Sequence, residues 1–297
     1  MICFNTGICF FVMKTNLEGT NHFSDILNFN YKFKDIYSEL NALKNYENIR
    51  IQTDTFKDVK DILELIEQIT GINRKKKANK KDILNDRFYT FAYACLESEY
   101  WNDRNKLENY LNDFYRFVNV LPSNYPADFN QESDPKKTTI IDKLKYYRIS
   151  VTKQASNLLC SGMDTYNFTM LPYEYENEYF YTYIITLYQK IFLMRLDAEF
   201  KEYGKIKILR EEFLKFTKQI WEKEITLSDS GSNYYSVLKE VLELEDLYAE
   251  SKNKYEIIYK DLNIEKNNKY YIILLMLLIF SLGLNLMNVL LLMYYLS

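Results

Sequence analysis

The chain has 297 residues, 27% of them charged and 47% apolar, which is enough for one large domain or two small ones and too apolar for a disordered chain. Its net charge of −3 argues against a general nucleic-acid binder, which needs a basic surface. A single histidine, His22, excludes HExxH and paired-histidine metal sites, and no serine elbow accompanies it.

The four cysteines, Cys3, Cys9, Cys95 and Cys160, form no CxxC pair or zinc spacing. The expectation is free, mostly buried thiols in a reducing compartment, with no metal or other cofactor. Met1 to Met13 is apolar but has no positive n-region and no small-residue cleavage site, so it does not read as a signal peptide.

Before Pro172 the pattern is that of a mixed domain. Short β-rich runs are predicted at Gly7–Thr15 (a buried strand), Leu27–Ile36, Ile49–Thr53, Phe88–Leu96 and Tyr146–Thr152. Amphipathic helices are predicted at Phe56–Thr70 and Arg104–Val118. Between the first helix and the next strand lies a basic run, Arg74, Lys75, Lys76, Lys77, Lys80 and Lys81, which suits either anionic headgroups or a solvated loop. Pro122, Pro126 and Pro135 fall in a polar stretch, Leu121 to Thr138, that reads as a long surface loop. Residues 1–172 are therefore expected to form an α/β sandwich domain with an antiparallel or mixed sheet, giving the chain an α+β class.

Residues 173–268 read as a helical stalk. Glu174 to about Tyr203 is a long apolar helix with Gly204 as its stop, and Lys205 to about Thr226 is a second. Glu174, Glu176 and Glu178 fit the acidic first turn of a helix better than a metal site. After the capping loop Ser228–Ser232, one helix is predicted from about Asn233 onward. It carries a heptad seam, Val237, Val241, Leu244, Tyr248, Tyr255, Ile258 and Leu262, with Ser251 and Glu265 as breaks. Such a seam packs either on other copies or on the chain's own helices.

Residues 269–297 read as one transmembrane helix. No charge occurs from Tyr270 to Ser297, and tyrosine pairs bracket the run, Tyr270 and Tyr271 before it and Tyr294 and Tyr295 after it. The helix between those pairs is about 33 Å long, matching a hydrocarbon core of about 30 Å, and tyrosine belts belong at both interfaces. Lys260, Lys266 and Lys269 precede the span and nothing basic follows, which predicts a single-pass, tail-anchored topology with the N-terminal body cytoplasmic. Ser281, Asn285 and Asn288 share one face of the span. Asparagine in hydrocarbon needs a hydrogen-bond partner, so this face is expected to drive homo-oligomerisation or to line a water-filled centre.

The layout, a small α/β domain, long helices, a heptad seam and a C-terminal span, resembles the CorA-like magnesium transporter architecture. The family's Gly-Met-Asn signature is absent. The nearest text, Gly283-Leu284-Asn285-Leu286-Met287-Asn288, lies inside the span, and a second span is missing. The resemblance implies a cytosolic sensing or binding domain above an oligomeric pore, and the same layout suits a membrane-disrupting defence effector. Alternatives are a tethered scaffold for a protein partner, or a membrane-anchored enzyme using isolated acids such as Glu97, Glu99, Asp54 and Asp58. No catalytic set ties those acids together.

Overall fold

A computed structural model describes residues 1–17, 22–34, 50–52, 58, 60–71, 88–126, 138–142, 144–200, 206–221, 223–226 and 228–296. The chain opens with a hairpin: β1 (Ile2–Cys3) pairs antiparallel with β2 (Cys9–Phe10) around a turn in which Gly7 takes a φ of +82°. Cys3 and Cys9 face each other in this register and are joined by a disulfide. Two expectations are corrected here. The Asn5-Thr6-Gly7 turn folds the chain back, so Gly7–Thr15 is not one buried strand, and residues 11–17 carry no regular structure. The thiols are not all free and buried: Cys95 is free and exposed, and Cys160 is free and buried.

The run Leu27–Ile36 is also not a strand. Its described part lies in helix α1 (Phe23–Lys34), where Phe23, Ile26 and Leu27 fall on one helical face and pack into a shared core cluster. A short pair, β3 (Arg50–Ile51) with β4 (Lys60–Asp61), leads into α2 (Ile62–Thr70). That helix starts later than Phe56 because Lys60 and Asp61 are used in strand pairing. The basic run Arg74–Lys81 lies outside the described residues.

Strand β5 (Thr90–Leu96) matches expectation. The helix predicted from Arg104 begins instead with a 3₁₀ turn, Leu107–Tyr110, and continues as α3 (Leu111–Asn119). The delay has a local cause, since the Asn102 side-chain oxygen accepts from the backbone N–H groups of Arg104 and Asn105 at 2.8 and 2.9 Å and holds a turn there. Three strands follow: β6 (Thr138–Ile141), β7 (Tyr147–Thr152) and β8 (Ala155–Ser161). Of the expected loop Leu121–Thr138, residues 121–126 are irregular, 127–137 lie outside the described residues, and Thr138 already belongs to β6.

The four-stranded sheet has the order β5-β8-β7-β6, with β5 parallel to β8 and the other pairs antiparallel. Every residue of β8 is buried. The helical half then begins with α4 (Tyr166–Thr169) and α5 (Leu171–Glu174), a π turn at Tyr175–Tyr179, and α6 (Phe180–Glu199). Next come α7 (Ile206–Phe216) with a second π turn at Thr217–Trp221, α8 (Asp229–Val241) and α9 (Leu244–Leu296). The second long helix thus stops before Thr226, and Gly204 lies outside the described residues.

The expected single helix from Asn233 is two helices. Glu243 takes a left-handed φ of 58° between α8 and α9, and this turn buries both Leu242 and Leu244.

Helices cover both faces of the sheet. On one, Leu27 of α1 and Phe114, Phe117 and Val118 of α3 pack against Ala94 and Leu159. On the other, Tyr175, Tyr183 and Leu187 with Tyr234 and Leu238 of α8 pack against Ile149, Val151 and Leu158. Phe91 stacks on Tyr175 at 4.1 Å between ring centroids. Burying a large apolar side chain in this way contributes about 1.5–3 kcal/mol.

The N-terminus of α8 is fixed by a compact polar lock. Ser228 Oγ accepts from the Gly231 N–H at 2.9 Å and donates to Glu178 Oε1 at 2.5 Å. A Cβ on Gly231 would come within 2.8 Å of Thr226 Oγ1 and would also strike the Glu178 carboxylate. Gly231→Ala is therefore expected to destabilise the fold by about 1–3 kcal/mol, through overpacking, as read from the urea midpoint. Ser228→Ala, which removes only the cap, should cost about 1 kcal/mol.

Burial pushes the Tyr147 phenol up from 10.0 to about 12, and raises those of Tyr175, Tyr183 and Tyr234. A phenol with a raised folded pKa stays protonated after its unfolded counterpart has ionised. The folded state then holds more protons, and stability falls as pH rises. The tyrosine contribution to unfolding stability should be constant below pH 10 and decline from pH 10 towards 12, the window set by Tyr147. Each such tyrosine adds a slope of about 1.4 kcal/mol per pH unit. Tyrosinate absorbance should rise together with loss of helical circular dichroism, and gradual ionisation of these phenols in a still-folded chain would contradict this account.

Candidate functional site

Helix α9 has two environments along its 53 residues. Its first turns belong to the body. Leu244 and Ser251 are buried, and Tyr248 stacks on Trp221 with ring centroids 4.2 Å apart and planes 3° from parallel. Tyr248 and Tyr255 both lie against Phe213 of α7, at 5.6 and 5.4 Å. Tyr255 accepts a hydrogen bond from Arg210 Nε at 3.1 Å, and Lys254 pairs with Asp197 of α6. The seam's described members therefore pack on the chain's own helices. Val237 and Val241 do so from α8, in the sheet-facing cluster. Ser251, a break in the apolar repeat, is itself buried. The side chains of Ile258 and Leu262 lie outside those described.

The rest of α9 leaves the body. From Lys266 to Val289 the helix runs for 24 residues, none of them buried, and is long and apolar enough to cross a membrane. Leu274, Leu277, Ile279 and Phe280 are each more than half exposed. A contiguous apolar surface of this size is unfavourable in water and favourable in hydrocarbon. At its near end Tyr270 and Tyr271 are exposed, and the Lys266 ammonium sits 5.9 Å from the Tyr270 ring centroid. Tyr294 is exposed at the far end, and the Tyr295 side chain lies outside those described.

Three polar side chains interrupt the apolar cylinder. Ser281, Asn285 and Asn288 are all exposed, and the helical repeat places them within an arc of about 60°. Gly283 points to the other side, where a Cβ would meet nothing within 4 Å. Chemically, the Asn face is a short ladder of amide donors and acceptors that requires partners once water is removed.

The remaining candidates separate. Glu176 pairs with Lys14 at 2.7 Å, Glu174 accepts from the Tyr166 hydroxyl at 2.6 Å, and Glu178 belongs to the α8 lock. Each of the three carboxylates thus has its own partner, and among the described residues no group of three or more His, Cys, Asp or Glu side chains gathers. Glu97, Glu99 and Asp58 are exposed, and Asp54 lies outside the described residues.

One group carried no signal in the sequence. Cys95 at the end of β5 and Cys160 in β8 are direct register partners across the parallel pair, so their side chains share a face. Cys160 Sγ donates to the Tyr93 hydroxyl at 3.1 Å, and Cys95 Sγ to the Leu96 carbonyl at 3.9 Å. The Cys160 and Tyr93 bonds lower the Cys95 pKa, whereas the Cys95 contact and burial raise that of Cys160. Only the strand register brings the two together, and no sequence spacing encodes it. The chain matches no protein-family model, no curated protein and no solved structure.

Proposed function

We propose that this is a membrane-anchored protein whose body is tethered by α9 and which self-associates through the Ser281, Asn285 and Asn288 face. The observation that carries the reading is that face itself, three exposed polar side chains on one side of the unburied, otherwise apolar end of α9. In lipid such groups are stabilised by pairing with another helix, at roughly 1–2 kcal/mol per interhelical bond in model peptides. A second copy of the same helix supplies complementary amides. The body then acts as the sensing or binding part and the span bundle as the responding part. This order of parts resembles the CorA-like layout, and a conducting or membrane-disrupting bundle is the functional extension of the proposal. The test is the mass of detergent-solubilised protein. Full-length chain should be a discrete oligomer, and a chain ending at Lys269 should be a monomer. Asn285→Leu with Asn288→Leu should still fractionate with membranes but lose or change the oligomer. A monomeric full-length protein would end this reading in favour of a tether for a partner of the body.

The side on which the body lies has two opposing indicators. Lys260, Lys266 and Lys269 favour the cytoplasm. The Cys3–Cys9 disulfide favours an oxidising compartment on the other side. Three juxtamembrane lysines act directly on insertion, and we take the cytoplasmic orientation. Exposed Cys95 provides the readout. A membrane-impermeant maleimide should label it only after lysis, and labelling in intact cells would reverse the topology.

A further inference from the structure

We propose that Cys95 and Cys160 form a redox-active dithiol that closes to a disulfide by exchange with a small-molecule disulfide. The two positions are opposite each other in adjacent parallel strands, in the run of partners Thr90↔Ala155 to Leu96↔Ser161. Neighbouring strands lie about 4.8 Å apart, within the span of about 4.4–6.8 Å that a disulfide bridges between Cα atoms. The backbone therefore does not have to move far for the bond to form.

The two thiols are unequal in the way an attacking and a resolving cysteine must be. Cys95 is exposed at the strand end and is the one an oxidant can reach. The neighbouring Cys160 thiol and Tyr93 hydroxyl hold its pKa below the ordinary thiol value, which favours the thiolate. Cys160 is fully buried, and its sulfur contacts the Tyr93 hydroxyl and the Ala94 carbonyl, at 3.1 and 3.6 Å. A buried cysteine alone is an ordinary small apolar core residue. The strand register that sets it opposite an exposed thiol is what gives this one a chemical role.

The exchange balances without another reagent. The Cys95 thiolate attacks one sulfur of R–S–S–R, forming a protein–S–S–R mixed disulfide and releasing RS⁻. Cys160 then attacks the Cys95 sulfur, releasing the second RS⁻, which takes up the Cys160 proton. The two protein thiols lose two electrons in total, and the small disulfide is reduced to two thiols. The new bond staples β5 to β8 where two surface segments begin. The Gly162 N–H already donates to the Leu96 carbonyl there, at 2.8 Å. The exposed side chains of Tyr100, Met163 and Phe168 follow on those two segments.

The experiment treats reduced, full-length protein in detergent with oxidised glutathione, followed by alkylation under denaturing conditions and peptide mass mapping. Wild-type protein should lose both alkylatable thiols, Cys95 and Cys160, and yield a cross-linked peptide joining them; the map separates this from Cys3–Cys9. Cys160→Ser should stop at one glutathione on Cys95, and Cys160→Ala replaces it if serine is not tolerated in the core. Cys95→Ser should leave Cys160 unmodified over the same period. A stable glutathione adduct on wild-type Cys95 with Cys160 still alkylatable overturns the proposal. So does modification of Cys160 in the Cys95→Ser variant at the wild-type rate.

Discussion

Strand β8 is buried along its whole length, and the arrangement of the body follows from that. A strand covered on both faces requires a helical layer on each side, and its polar groups must find partners within those layers. Ser156 bonds to the Tyr234 hydroxyl at 2.6 Å, reaching α8. Asn157 donates to the Phe117 carbonyl at 2.7 Å, reaching α3, and its side-chain oxygen accepts from the Ala92 N–H at 3.2 Å. The Tyr175 hydroxyl donates to the Ser156 carbonyl at 2.8 Å. Asn167, itself buried, donates to the carbonyls of Tyr146 and Ser161 at 3.0 and 2.9 Å. An apolar strand could slide between such layers, but these bonds fix its register. The same register is what sets Cys160 opposite Cys95.

That strand is also where sequence reading fails. The segment Ala155–Ser161 has no alternation, because both faces are buried, and its serines and asparagine resemble a loop. Strands β5 and β7 were legible because they are rich in aromatic and β-branched residues. The segment of α1 resembles a strand in sequence for a related reason: Phe29, Tyr31 and Phe33 alternate with polar residues, whereas the buried contact is made at Leu27. Local propensity describes a residue's neighbours in the chain, and these elements are decided by neighbours in space.

The long helices were legible in existence but not in continuity. The heptad repeat runs through Glu243 without interruption in the sequence, yet the backbone turns there. Lys153 holds the Glu243 carboxylate at 2.6 Å, and Leu242 and Leu244 are buried on either side. Two buried leucines flanking one left-handed residue outweigh a strain of about 1–3 kcal/mol. The apolar run after Lys269 was the clearest signal, because an absence of charge over a bilayer's length needs no tertiary context to be read. Its polar face was legible as well, since a helical repeat places side chains without reference to any partner.

The direction of that face relative to the body has a further consequence. In a straight helix of 3.6 residues per turn, the centre of the Ser281, Asn285 and Asn288 arc lies about 100° around the axis from the centre of the seam Leu244, Tyr248, Ser251 and Tyr255. The seam is occupied by Trp221 and Phe213 of the same chain. If the two faces coincided, a second copy docking through the asparagines would be directed at the surface its own body already fills. A quarter-turn offset removes that conflict. Pairing of the spans, as proposed above, would then leave each body its own contacts, with assembly and folding on different sides of one helix. Supercoiling changes that offset, by about 20° per heptad for a left-handed winding, which follows a seven-residue repeat, and in the opposite sense for a right-handed winding, which follows an eleven-residue repeat. In the proposed assembly, the body's packing on α9 would therefore restrict how the spans wind about one another, a coupling that needs no contact between bodies.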